Sequence, residues 1–218
     1  MKCIFFDIQH NLILFKALYI MFSLYPSRFI GKIIECSEDD IDDTSKSGDI
    51  NDIIQIACEA GDIRRVICTI TEHKEDICPK MITDAFATSC GNGHLELAQQ
   101  LLITYSGIVD ISGDNDEAFR FACANGHLPI AEWLWDISGE NINVDIYNNE
   151  AFRWACSNGH LDVAKWLLFI DSMIDISCCE NYALNCARVN GHNIVVDWLK
   201  NAIAIRKKEK RKRIMMSI

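Results

Sequence analysis

The tripeptide Asn-Gly-His occurs at residues 92–94, 125–127, 158–160 and 190–192, spaced by 33, 33 and 32 residues. A weaker copy, Ala60-Gly61-Asp62, lies 32 residues before the first. Five segments follow one template around these points: "DIIQIACEAGDIRRVI", "DAFATSCGNGHLELAQQL", "EAFRFACANGHLPIAEWL", "EAFRWACSNGHLDVAKWL" and "YALNCARVNGHNIVVDWL". A fixed period of this length means one supersecondary unit stacked on copies of itself, and it constrains the fold more than any single residue does.

The unit reads as two short helices. Asn51, Thr83, Asp116, Asn149 and Asn181 recur just before the first helix, where a cap must accept backbone N–H bonds. Ala151, Phe152, Ala155 and Cys156 place an apolar face on it. Gly159 ends it, because a tight reversal needs the left-handed conformation. His160 then opens a second helix with the stripe Leu161, Val163, Ala164, Trp166 and Leu167. Val109-Asp110-Ile111, Ile142-Asn143-Val144 and Ile174-Asp175-Ile176 recur in the connections. Helices of roughly eight to ten residues are marginal alone, so each pair must bury its faces against the next pair. The predicted fold is all-α, a helix-turn-helix solenoid of about five repeats.

The period, the Ala-Cys doublet, the Asn-Gly-His reversal and the "LDVAKWLL" second helix resemble the ankyrin repeat family over about residues 49 to 203. The variant is similar to arrays of large DNA viruses of amoebae. The family's usual Thr-Pro-Leu-His opening is replaced by Glu117-Ala118-Phe119-Arg120 and Glu150-Ala151-Phe152-Arg153. The resemblance implies a binding module whose concave surface, made of loop tips and first helices, holds another protein without catalytic residues.

Cysteine raises the question of chemistry. Cys90/His94, Cys123/His127 and Cys156/His160 each place a thiol one turn before an imidazole. A zinc centre needs its donors converging within about 2.3 Å of one ion, whereas stacked repeats lie roughly 10 Å apart. The thiols therefore read as core and the imidazoles as turn residues, with no metal or other cofactor expected. Trp133, Trp166 and Trp198 share one repeat position and read as core; Trp135 and Trp154 lie off it and read as partly exposed. The pair Cys178-Cys179 falls in a connection, where an exposed thiol retains some redox capacity. In-register thiols on helices, unlike a loop-rich disulfide framework, point to a reducing, intracellular setting, cytoplasmic or nuclear.

The two ends differ from the array. Residues 1–36 are apolar but interrupted by Asp7, His10 and Lys16, too short a run for a spanning helix. They read as a cap on the first repeat, a docking element for a partner, or a membrane-surface segment over residues 1–25, the last not favoured. Residues 37–49 are an acidic linker and 50–203 the array. The tail, 204–218, contains "RKKEKRKR" at 206–213, with seven basic residues and one acid. It is either a nuclear-import signal or a solvated cap. The remainder has 14 basic residues (21 less 7) against 30 acids (31 less 1), which disfavours a nucleic-acid partner for the body.

Three functions follow. The first is a protein-binding module. The second is an adaptor whose residues 1–36 recruit a ubiquitin-ligase component while the repeats select a target. The third, an enzyme built on a Cys–His pair, is disfavoured because no nucleophile is uniquely positioned beside an oriented base. The expected contact residues are the loop tips Asp114, Asp116, Tyr147, Asn148 and Glu180, with Arg120 and Arg153 on the adjacent first helices.

Overall fold

The computed structural model describes residues 49–216, where ten α-helices follow one another in pairs. The apolar N-terminal segment, its docking, capping and membrane readings, and nearly all of the acidic linker lie outside these residues. First helices are α1 (Ile50–Ala60), α3 (Pro79–Gly91), α5 (Gly113–Ala124), α7 (Ile146–Ser157) and α9 (Cys178–Val189). Second helices are α2 (Ile63–Glu72), α4 (Leu95–Thr104), α6 (Leu128–Ser138), α8 (Leu161–Ile170) and α10 (Asn193–Met216). Each first helix packs on its own second helix and on the first helix of the next pair. The all-α repeat solenoid is therefore realised as the 33-residue period requires.

The core runs the length of the stack. Phe86, Phe119 and Phe152 are fully buried at one position of successive first helices. Each ring meets a tryptophan from the second helix of the following repeat: Phe86 with Trp133, Phe119 with Trp166, and Phe152 with Trp198, at centroid distances of 6.2, 6.0 and 6.3 Å. Such aromatic pairs add to the area they bury, so they join neighbouring repeats rather than single ones. Trp133 is buried, while Trp166 and Trp198 are half-buried against the core. Trp135, off the register, is also half-buried, wedged 6.5 Å from both Phe119 and Trp166.

The Asn-Gly-His turn is a second inter-repeat device. Asn125 Nδ2 donates to the Gly91 carbonyl, Asn158 to Ala124 and Asn190 to Ser157, at 2.6–2.8 Å. Each reaches back to the end of the preceding first helix, where carbonyls lack intrahelical partners. The turn glycine has positive φ, +86° at Gly93 and +89° at Gly159. Each also faces the next repeat's imidazole: a Cβ on Gly93 would lie 2.6 Å from the His127 ring, and one on Gly159 2.5 Å from the His192 ring. Glycine is required here for backbone conformation and for closeness together.

The expected caps behave differently from the sequence reading. Asp49 caps α1, accepting from the Asn51 amide, so Asn51 lies inside the helix. Thr83 also lies inside its helix, α3, where its hydroxyl accepts from the Asp110 amide at 3.4 Å. Asp116 Oδ2 accepts from the Asn143 amide at 3.0 Å. Both of these bonds reach the next repeat's connection, not the residue's own helix. Asp116, Asn149 and Asn181 each close a turn of three consecutive positive-φ residues, which opens α5, α7 and α9. The last helix, α10, runs unbroken through the basic segment to Met216.

Candidate docking face

The loops into α5, α7 and α9 share one construction. Asp110, Asn143 and Asp175 each accept, through Oδ1, the amide two residues on, at 2.9–3.1 Å. These side chains start the turn by imitating backbone. The left-handed turns follow, at Asp114–Asp116, Tyr147–Asn149 and Cys179–Asn181, with φ between 48° and 60°. Outside glycine that conformation costs roughly 1–2 kcal/mol per residue, and Asn and Asp tolerate it best. The turns persist because a side chain one helical turn later holds them. Arg120 donates from Nε to the Asn115 carbonyl and from Nη2 to the Asp114 carbonyl, at 2.9 and 3.1 Å. Arg153 does the same to Asn148 and Tyr147, at 2.9 and 2.8 Å. Asn185 replaces the arginine in the last repeat, donating to the Glu180 carbonyl at 3.1 Å.

The expected contact residues therefore fall into two groups. Asp114, Tyr147, Asn148 and Glu180 are exposed. Asp116 is not a tip: it is 4 % exposed, bonded to Asn143, and its burial pushes its carboxyl upward from the ordinary range. The Arg120 guanidinium also pairs with Glu150 and lies 5.1 Å from the Tyr147 ring centroid; that of Arg153 lies 5.0 Å from the Tyr182 centroid. Both guanidiniums are held within the array. Cys178 and Cys179 belong to this ordered turn and not to a free loop, and Cys178 Sγ contacts the Asn148 carbonyl at 3.4 Å.

Sequence reasoning read Trp154 as partly exposed but assigned neither it nor Phe121 to this face. Phe121 and Trp154 occupy one position of α5 and α7 and remain 42 % and 44 % exposed. They line a groove of about 430 Å³ together with Glu59, Asn125, Glu150 and Asn158. A second depression of about 350 Å³ shares Phe121 and contains Lys80, Asp84, Asp114 and Glu117. In the repeat template the equivalent position is Ile56, Thr88, Phe121, Trp154 and Cys186, and this variability was the signal that the row faces outward. Lys80 bridges Asp84 and Asp114 at 3.1 and 2.8 Å, chiefly the Asp114 contact holding its ammonium protonated.

The thiols one turn before the histidines do not reach this face. Cys58, Cys90, Cys123 and Cys156 are fully buried in the core. Burial pushes the Cys58 thiol up to about 11 and the other three higher still, away from the thiolate that nucleophilic chemistry needs. Burial also lowers His127 and His160; the neighbouring imidazoles lower them further, while the Gly91 backbone and Asp162 respectively oppose the shift.

Helix pairs, the Asn-Gly-His reversal and the repeat length converge on one assignment: residues 85–178 match the family model of ankyrin repeats, in three copies. These are ankyrin repeats. The same helix pair and turn continue on either side of the match, from α1 to α2 and from α9 to α10. No curated protein matches the chain. An ankyrin array is a protein–protein interaction module, and the family is generally a scaffold and not an enzyme. Among the described residues no helix is long and apolar enough to cross a membrane.

Proposed function

We propose that the ankyrin array binds a protein partner on the face made by its first helices and the loops that precede them. The observation that carries this reading is the exposed pair Phe121 and Trp154, in one register and in one groove. Large aromatics of this kind are favoured anchors at protein interfaces. The exposed tips Asp114, Tyr147, Asn148 and Glu180 rim the same side of the repeats and supply polar contacts. Arg120 and Arg153 serve this face indirectly, by holding the tips in place.

A photo-crosslinking residue introduced in place of Phe121 or Trp154 of the full chain tests the reading in cells. Protein adducts are expected at both positions. A matched probe at Phe169, 85 % exposed on the second helix α8, is the control. Equal or stronger adducts at Phe169 would place recognition elsewhere.

A further inference from the structure

The four turns Asn92-Gly93, Asn125-Gly126, Asn158-Gly159 and Asn190-Gly191 share a chemical liability. Glycine has no side chain to shield its backbone nitrogen, so that nitrogen can attack the carboxamide carbon of the asparagine before it. Locally the four turns are alike. The asparagines lie at φ between −98° and −82° with ψ between 0° and 4°. Each glycine N–H donates to the carbonyl three residues back, at 3.2–3.3 Å. The nitrogen is thereby engaged, and reaction waits for the turn to open.

What differs is the cover supplied by the following repeat. Asn125 Nδ2 donates to the carbonyl just before Asn92, Asn158 to that just before Asn125, and Asn190 to that just before Asn158. The rings of His127, His160 and His192 lie over Gly93, Gly126 and Gly159, so close that an added Cβ would stand 2.3–2.6 Å from them. Each of these three turns must shed two side chains of the next repeat before it opens. Among the described residues neither kind of cover lies over Asn190-Gly191. A Cβ on Gly191 would meet nothing within 4 Å, and Val189, Asn190 and Gly191 are all exposed. Inward, Asn190 Nδ2 donates to the carbonyl and to Oγ of Ser157, at 2.8 and 3.2 Å.

We propose that Asn190 is a site of self-modification, converting by deamidation while Asn92, Asn125 and Asn158 are held back. The Gly191 nitrogen loses its proton and bonds to Asn190 Cγ. The Cγ–Nδ2 bond breaks, and the amide nitrogen leaves with that proton as ammonia. The five-membered imide then takes up one water and opens to aspartate or to its backbone-lengthened isomer. Either product places a carboxylate where an amide donated to Ser157. A carboxylate has no proton for a carbonyl, so the joint between α7 and the last helix pair is lost. That pair, α9 and α10, carries the exposed tip Glu180, and its loosening alters the docking face.

Peptide mapping by mass spectrometry tests the site, on the full chain incubated folded and in urea. Val189 is the bulkiest of the four residues that precede the asparagines, beside Gly91, Ala124 and Ser157, so sequence alone gives Asn190 no advantage. In urea all four asparagines are expected to convert, with Asn190 not the fastest. In the folded chain Asn190 should convert at least about tenfold faster than any of the other three, since the reaction runs through locally opened states. Comparable folded-state rates at all four overturn the proposal. So does an Asn190 that stays intact for as long as the unfolded chain takes to convert. A full-length Asn190→Asp variant isolates the consequence, read as faster backbone hydrogen exchange in α9 and α10 with α1 to α4 unchanged. Wild-type exchange rates in α9 and α10 of that variant would overturn the loosening.

Discussion

The two ends of a first helix such as α5, α7 or α9 solve the problem of chain reversal in opposite ways. At its C-terminal end the Asn-Gly-His turn uses one glycine per repeat, at positions 93, 126, 159 and 191, all with positive φ. At its N-terminal end three loops pass through nine non-glycine residues with positive φ, among them Tyr147, Cys179 and Glu180. The first solution is nearly free of strain, and the asparagine and histidine around it grip the adjacent repeat. The second carries strain and is held by a side chain of its own helix, Arg120, Arg153 or Asn185. Identity is thus demanded where repeats touch, while the loop needs only its clasp and leaves its tips variable. That division lets one face of a stack stay constant as another changes.

Gly126→Ala should have the largest effect. Its φ is +81° and a Cβ there would run into the His160 ring. A loss of about 2–4 kcal/mol is expected from conformation and clash together, read from denaturant melts. A loss under about 0.5 kcal/mol, the range of neutral surface changes, would mean the turn is not the rigid partner in the comparison.

Arg153→Ala comes next. It strips the hydrogen bonds to Asn148 and Tyr147 and the contact with the Tyr182 ring. About 2 kcal/mol is expected, since bonds from charged groups contribute about 1.5–3 kcal/mol. Lysine should not rescue it, because only the guanidinium fork spans two carbonyls. Full rescue by Lys in the same melts would show that charge, not the fork, holds the loop.

Glu180→Gly should act in the opposite sense. Glu180 is exposed at φ 58°, so relief of strain of roughly 1–2 kcal/mol competes with glycine's chain-entropy cost of roughly 0.5–1 kcal/mol. Stabilisation by up to about 1 kcal/mol is the expected balance. Destabilisation would mean the loop is not left-handed in solution.

The smallest effect is a dependence on pH. His127 and His160 are held below their ordinary value, first by burial and then by their neighbours. Their unfolded forms therefore bind protons more readily than the folded ones. This contribution to stability is complete above the unfolded value of about 6.5 and is lost as pH falls through the lowered folded values. Melting temperature should decline between about pH 7.5 and 5.5, and a His127→Gln, His160→Gln double variant should flatten that slope. An unchanged slope in the variant would assign the decline to other groups.

The period, the Ala-Cys doublet and the Asn-Gly-His turn determined the helix pairs, the one-dimensional stack and the buried thiols from sequence alone. Those features depend on local chain chemistry and on a pattern repeated every 32 or 33 residues. Their signal is present in any single repeat and multiplied by five. The burial of Asp116, the engagement of Arg120 and Arg153, and the exposure of Phe121 depended on tertiary structure. In sequence Asp116 is one more polar residue in a connection, and only the approach of the Asn143 amide from the next repeat draws it inside. Phe121 sits between Arg120 and Ala122 on a largely apolar helix. Which of its neighbours faces the core is fixed by the angle at which α5 meets α3, α6 and α7. Local patterning names the elements, and the packing of one repeat on the next decides which side chains remain for a partner.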